Sequence, residues 1–595
     1  MIKTYTQLKK YTLISLLILL SAHINAQSFE HYLVDKTLKA WYPRAKDAAY
    51  GGYLSDFKYD WTPSGQHTKL IVSQSRHLWV TSRAALLFPE EAMYAQLATH
   101  GFNFIKDKMW DQQHGGFFYH LDRTGNTQLD SRKRIYGEAF AIYGLSMYYL
   151  LTGDEDALDL AIQTFHWVED HGRDKEYNSY FQYTSRTGVP VLSDDKEHNN
   201  VMHLLEAYAT LYDVWPNQQL YDAIHNIIYL LDEKLRSPQG FLYTYFKRDL
   251  SPSSNKFNEV SFGHNVQVGY LVHDAYQRME EEIPADIMGF IKEIVDNTLT
   301  HGYDNDKGGI YNLGKFNNPG YSIIDSEKNW WTTAEGLNTL LLMKKLYPEE
   351  SKYQELFDKQ WAYIKEYAID DVHGGWYSTG LDTRASAATS NKGHIWKTSY
   401  HTGRALFNAY MDESPDWQAP TTITEAGIYR AGELLLVNWE ASSDDRMLTG
   451  YDLYVEGQRV AFTKDTFLLS DEFTFTGDTI IEIRARDFFH NRSEAKMATI
   501  MGNTTSVNKL FEAPKLALAV YPNPFQNNIT IEVRNNTLDL LVELYAMDGR
   551  KVYQSYEKAL NSVTLNTGHL NNGLYILRIF DANGQAIFNE KVIKR

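Results

Sequence analysis

The stretch HGGFFYHLDRTG, residues 114–125, decides the fold because the chain repeats it. Related glycine-aromatic segments read YGGYLSDFKYD at 50–60, NSYFQYTSRTG at 178–188, QGFLYTYFKRD at 239–249, KGGIYNLGKF at 307–316 and HGGWYSTGLD at 373–382. They stand about 60 to 68 residues apart, and self-similarity at such a period marks a repeated supersecondary unit. Each interval has room for two ordinary helices. The runs RIYGEAFAIYGLSMYYLL (134–151) and NNVMHLLEAYATLYDVW (199–215) are apolar at helical spacing with polar residues between. The glycine-aromatic segments then read as hairpins or loops between helix pairs. Six pairs in succession predict an all-α (α/α)6 barrel over residues 28–415. An open solenoid is the alternative, but solenoid repeats are usually shorter.

Beyond residue 415 the texture changes. DESPDWQAPTTITEAG is a polar, proline-containing linker, and ELLLVNWEAS, GYDLYVEGQRVAF and DTIIEIRARDFF alternate like strands. A further strand-rich segment runs from about 512, through LAVYPNPFQNNITIEV and ELYAMDGRKVY to LNNGLYILRIF. The expected organisation is therefore multidomain, with the barrel followed by two small all-β sandwich domains at 418–503 and 512–595.

The N-terminus reads as a secretory signal, residues 1–26. Lys3, Lys9 and Lys10 precede the apolar YTLISLLILL, and small Ala26 stands at a plausible cleavage position. That core is too short for a comfortable membrane span and no later segment resembles one, so no span is expected in the mature chain. The net charge of -17 argues against nucleic acid or an anionic membrane surface as partner. The chain has no cysteine, which excludes thiolate catalysis, cysteine metal sites and disulfides.

Polar residues embedded in the apolar helical runs are the candidates for chemistry. SQSRHLWVTSRAA carries Arg76; NNVMHLLEAYATL carries Asn199, His203 and Glu206. SFGHNVQVGYL carries His264, Gln267 and Tyr270. KNWWTTAEGL carries Trp330, Trp331 and Glu335, and WKTSYHTGRAL carries Trp396, His401 and Arg404. Partners three or four residues apart share a helix face, and a toroid can bring faces from different pairs to its centre. Singly, each has a plainer explanation, because a lone histidine in an apolar helix is more often a hydrogen-bonded core residue and paired tryptophans more often pack.

Together, the motifs QSR, MHLLEA, FGHNV, WWTTAE and WKTSYHTGR, in this order and spacing, resemble the N-acylglucosamine 2-epimerase superfamily over residues 28 to about 415, most closely its cellobiose 2-epimerase branch. The resemblance implies an (α/α)6 barrel and a reaction without metal or redox cofactor. It further implies a pocket lined by Arg76, His203, His264 and His401, with Trp331, Glu335, Trp396, Asn199, Tyr270 and Gln267 around a mono- or oligosaccharide. The segment after residue 418 resembles a fibronectin type III module. YPNP, GLYILRI and the basic KVIKR terminus resemble the C-terminal sorting domain of the type IX secretion system, implying that machinery as a partner and export to the cell surface or medium.

Inverting C2 of a reducing sugar requires ring opening and removal of a weakly acidic proton alpha to the aldehyde. Imidazole titrates near working pH, so one histidine takes that proton while another stands ready to return one. Return at C2 gives epimerisation, and return at C1 gives a ketose. His264 and His401 are the expected acid/base pair; Arg76 and His203 are expected to stabilise the enediolate. A non-catalytic glycan-binding protein would keep the aromatic pocket alone. Hydrolysis would need two facing carboxylates, and Glu206 and Glu335 do not sit in a hydrolase pattern. The chain departs from its relatives at Asn265 and Gln267, where they commonly carry Asp and Glu, at Tyr270 for Trp and at Thr333 for Gln. Without a carboxylate, His264 should be harder to protonate.

Overall fold

Glycine takes the centre of the repeated turns except the third, where Asn178 adopts φ +52°. Gly115 and Gly116 have φ of +67° and +66°, a left-handed region that side chains disfavour. A Cβ on Gly52, at φ +63°, would also lie 2.5 Å from the Gln74 side-chain oxygen. The turn therefore passes tightly beneath the helix that follows it.

The computed structural model describes residues 28–595 apart from 193–194, 254–255, 318–319, 384–388, 432–433, 471–479, 499, 504–517, 534–537, 547–549, 560–561, 581–585 and 595. The expected signal segment 1–26 and the expected boundary at 512 lie outside the described residues. Twelve helices alternate between outer and inner positions among the described residues. The outer ones are α1 (Phe29–Leu33, prolonged to Trp41), α3 (Ala92–Phe104), α5 (Glu155–Trp167), α7 (Gln218–Tyr229), α9 (Ala285–His301) and α11 (Ser351–Tyr363). The inner ones are α2 (Ile71–Leu87), α4 (Ile135–Thr152), α6 (His198–Tyr212), α8 (Phe262–Met279), α10 (Trp330–Leu346) and α12 (Tyr400–Glu413). Each inner helix packs on the next and α12 returns to α2, which closes the ring. The inner helices are buried on nearly every face; α2 is buried from Ile71 to Leu86.

A buried ion pair locks five of the six turns to the segment that leads into the next inner helix. Lys69, Lys133, Lys196, Lys328 and Lys392 reach Asp47, Asp111, Asp174, Asp304 and Asp370 at 3.0, 3.2, 2.9, 2.6 and 2.6 Å. Arg123, Arg186 and Arg248, from the following hairpins, close on Asp47, Asp111 and Asp174 at 2.8, 2.7 and 2.9 Å. Such pairs add little net stability, but losing one partner strands a buried charge. The fourth repeat differs: Ser237 stands at the Asp position, and its hydroxyl accepts the Phe241 N–H at 3.2 Å. Short ladders also tie each repeat to the next, as Lys69–Leu70 pairs with His120–Leu121 and Glu259–Ser261 with the strand Leu313–Phe316.

A second latch comes from the first turn of an inner helix. Gln74 accepts the Tyr53 N–H at 2.7 Å, Glu138 the Phe117 N–H at 3.0 Å and Asn265 the Leu242 N–H at 3.0 Å. Asn265, expected beside His264, thus points away and clamps the turn, its amide donating to the Ser261 carbonyl.

The chain divides into two compact units, the helical one ending at Asp416 and a β-rich one from Trp417 onward. The β-rich unit holds two separate cores. One lies between two four-stranded sheets and includes Trp439, Tyr451, Leu453 and Ile483; the other includes Phe525, Ile529, Val542 and Leu577. Among the described residues no helix is long and apolar enough to cross a membrane.

Glu138 yields a test of the latch. Burial, opposed by Lys133, raises its carboxyl to about 7. A carboxyl raised on folding stabilises the fold below its unfolded value, and that contribution is lost as pH rises through 7. Glu138→Gln, which copies Gln74 in the first repeat, should therefore raise Tm by a few degrees at pH 8–9 and change it little at pH 5. Thermal melts across that range check it.

Candidate active site

The candidate residues gather at one end of the ring because they occupy the first two turns of parallel inner helices. Arg76 is the sixth residue of α2, His203 the sixth of α6, His264 the third of α8, and Trp331 and His401 the second of α10 and α12. Converging helix N-termini favour negative charge there.

Arg404 is the hub. One of its terminal nitrogens donates to Glu206 of α6 and, at 2.7 Å, to the Tyr400 hydroxyl; the other reaches Glu335 of α10 at 2.5 Å. Tyr400 donates to the same Glu206 oxygen. Each carboxylate then holds an imidazole: His203 Nδ1 lies 2.7 Å from Glu206 Oε2, and His401 Nδ1 lies 2.6 Å from Glu335 Oε1. Burial alone would raise Glu206, but Arg404, His203 and Tyr400 together hold its carboxyl at about 2. Glu335 responds oppositely, raised by burial against the pull of Arg404. Geometry explains the difference, since Glu335 Oε2 is buried without a partner.

The histidines are biased to neutrality. Burial lowers His203 against the pull of Glu206. It lowers His401 further, with Arg76 and Arg404 nearby, and His264 too, with His198, His203, His401 and Arg76 facing it. Neutral imidazole is the form that accepts a proton.

Trp331 lies between the outlying histidines, its ring 4.7 Å from that of His264 and 5.9 Å from that of His401. Arg76 donates to the Trp396 carbonyl at 3.1 Å and the Tyr136 hydroxyl at 2.9 Å, stacked on Phe140 at 4.3 Å and Tyr400 at 4.9 Å. Trp396 is 42% exposed on the segment leading into α12. Asn199 lies against the Tyr136 hydroxyl. Tyr270 lies against Arg404, whose guanidinium is 5.7 Å from its ring, and its hydroxyl accepts from Asn408 at 3.0 Å, which also donates to Asn338 at 2.7 Å. Gln267 is fully buried, both amide atoms without a partner.

Sequence reading missed Tyr136, Tyr400 and His198. Tyr136 and Tyr400 were disguised as packing aromatics in RIYGEAF and WKTSYH, although each is a hydroxyl beside an arginine or carboxylate. His198 stands beside Asn199 in the same motif as His203, and its ring lies 5.1 Å from that of His264.

Arg404→Met leaves Glu206 and Glu335 buried without their shared cation. The expected loss at pH 7 is on the order of 3–5 kcal/mol, narrowing at acid pH as the carboxyls take protons. Urea denaturation at pH 7 and pH 5 measures both values.

Comparison with known proteins follows the same lines. The family model described as N-acylglucosamine 2-epimerase matches residues 52–405, and that of the secretion system C-terminal sorting domain matches 519–595. The chain therefore carries an export signal at its C-terminus and is destined for secretion or surface attachment. A cellobiose 2-epimerase of Bacteroides fragilis is 28% identical over 389 residues, spanning 64% of this chain and 96% of that protein. A D-mannose isomerase of Marinomonas mediterranea is 25% identical, with the same shares covered. The solved cellobiose 2-epimerase of Bacillus thermoamylovorans superposes with a TM-score of 0.59 at 26% identity, over 64% of this chain and 98% of that one. With the family model matching more than half of its length, the chain belongs to the N-acylglucosamine 2-epimerase family.

Proposed function

We propose that the ring is the active site of an exported sugar 2-epimerase acting on the reducing end of a glucose- or mannose-configured saccharide, as its cellobiose 2-epimerase relatives suggest. The observation that carries this reading is the placement of two neutral-biased histidines, His264 and His401, on α8 and α12, with Trp331 of α10 between them. On the opened aldose, one imidazole takes the C2 proton. The C2–H electrons form the C1=C2 bond of an enediolate, and the charge moves to O1. The other imidazole returns a proton to the opposite face of C2, inverting it. Arg76, whose guanidinium is oriented by the Trp396 carbonyl and the Tyr136 hydroxyl, stabilises the oxyanion. Glu206 fixes His203 beside it. Trp331 and the exposed Trp396 offer flat apolar faces to sugar rings. The Glu335 carboxylate supports positive charge on His401, and among the described residues no carboxylate is bonded to His264, so the two bases are unequal.

Proton return at C1 would give a ketose. The D-mannose isomerase relative keeps that second reading in view, and product analysis separates the two. The β-rich unit completes the proposal, with 418–503 as a fibronectin type III-like spacer and the segment from about 512 as the type IX sorting domain.

Incubation in heavy water with cellobiose, mannobiose, glucose, mannose and N-acetylglucosamine, followed by NMR, should place deuterium at C2 of at least one substrate–product pair. His264→Ala and His401→Ala should each slow that exchange by roughly 10²–10⁴-fold. A rate that survives either change removes that residue from the mechanism. Deleting residues 519–595 should leave the exchange rate intact while the protein accumulates inside the cell envelope, read by fractionation. Normal export of the truncated chain would refute the sorting role.

A further inference from the structure

We infer that His394 is the positioning residue of Trp396, its bare Nδ1 accepting the Trp396 N–H and so holding the indole at the mouth as a fixed platform for sugar. The inference rests on the reading of Trp396 as a sugar-facing group and names what holds it there.

Trp396 lies outside every helix and strand, on the segment between the last lysine latch and α12. An exposed loop aromatic must be ordered before it can stack on a ligand, and that entropy is spared only if its backbone is already held. His394, Ile395, Trp396 and Lys397 form a turn closed by the Lys397 N–H, which donates to the His394 carbonyl at 2.8 Å. Trp396 is the third residue of the turn, and its N–H donates to His394 Nδ1 at 3.3 Å. Asn and Asp at the start of a turn bind the backbone two residues on in the same way; here a ring nitrogen does it. A backbone N–H only donates, so Nδ1 is the acceptor and the proton of the neutral ring sits on Nε2. Burial, with Lys397 adding and Asp56 opposing, lowers His394 to about 4, which keeps that acceptor bare at working pH.

The other side of Trp396 is held as well, since its carbonyl accepts from Arg76 at 3.1 Å. Both peptide groups that flank its Cα are therefore bonded. The turn is anchored at each end. Gly393 exchanges backbone hydrogen bonds with Phe57 at 3.1 and 3.3 Å. The buried Lys397 ammonium donates to the Trp376 and Lys392 carbonyls at 2.6 and 2.8 Å. The His394 ring meets Trp330 edge-on, with centroids 5.4 Å apart. Trp330 opens α10 directly before Trp331, so His394 ties the outer platform to the helix start that carries the inner one. The rival account has Lys397 alone fix the turn while His394 only packs on Trp330. Two substitutions separate them. Leucine keeps apolar bulk against Trp330 and removes the acceptor, whereas asparagine gives up bulk and keeps an acceptor for the N–H two residues on.

The test uses the full chain labelled with ¹⁵N-tryptophan, the Trp396 indole signal being identified by its loss in Trp396→Phe. Its nitrogen relaxation should be that of a rigid side chain in the native protein, of a mobile one in His394→Leu, and of a rigid one again in His394→Asn. With cellobiose as substrate, His394→Leu should raise KM about five- to tenfold, the worth of one hydrogen bond, and leave kcat within about threefold. His394→Asn should recover most of that KM, and in a Trp396→Ala background His394→Leu should change KM no further. An indole as rigid in folded His394→Leu as in the native protein, a His394→Asn variant no better than His394→Leu, or a KM effect that persists in Trp396→Ala would each overturn the inference. Should His394→Leu fail to fold by circular dichroism, a long-range proton–nitrogen spectrum of the native chain carrying ¹⁵N-histidine decides, with the His394 signals identified by their loss in His394→Asn. Protonation on Nε2 supports the inference, and protonation on Nδ1 overturns it. Relaxation and tautomer are read without sugar, so an absence of sugar exchange would count against the proposed function and leave this inference to its own measurements.

Discussion

One guanidinium sets the interior of the ring. Arg404 is 1% exposed and stands on α12, yet it reaches a carboxylate of α6 and another of α10, inner helices that are not neighbours. A closed ring of six parallel helices leaves a polar centre that must be filled with matched charges, because an unpaired buried carboxylate costs several kcal/mol. Two carboxylates around one guanidinium meet that condition only partly, and each uses its remaining capacity to fix an imidazole. The orientation of His203 and His401 is thus a by-product of satisfying Arg404, and the neutrality of the imidazoles follows from burial beside two arginines.

The latches beneath the ring give that centre its accuracy. The reactive residues fall within the first two turns of their helices, directly after the lysines that clamp the glycine-aromatic turns. Any slip of a clamp would move a reactive side chain by a comparable distance. The repeat that breaks the rule is informative. Ahead of α8, Ser237 replaces the aspartate, and the helix bearing His264 is held by the amide of Asn265 on the turn backbone. The same helix supplies the imidazole that lacks a carboxylate. The fourth repeat has therefore given up charge at both its latch and its reactive group.

Much of this was legible in the sequence, for reasons that can be named. A glycine pair followed by an aromatic is a local backbone requirement, so the turns, the repeat and the six pairs could be counted directly. Arg76, His203, His401, Trp331 and Glu335 are polar or bulky residues in otherwise apolar helices, and the ring does draw them together. The Asp–Lys latches, 22 residues apart in four of five cases, carry a regular signal that was overlooked because charges near turns ordinarily face water. Asn265 and Tyr270 misled for another reason. Adjacency along a helix does not say which way a side chain turns, and one latches a turn while the other sets its ring by Arg404 and its hydroxyl on Asn408. His198 could not be ranked above packing, because nothing in its motif says that its ring lies 5.1 Å from that of His264.

The central claim is that two different imidazoles handle the C2 proton. A single turnover of cellobiose labelled with deuterium at C2, run in ordinary water, tests it most directly. Two bases on separate helices predict an epimerised product whose C2 carries solvent hydrogen and none of the original label. An epimerised product that retains a substantial share of the deuterium at C2 would mean that one base both removes and returns the proton, and would contradict the account.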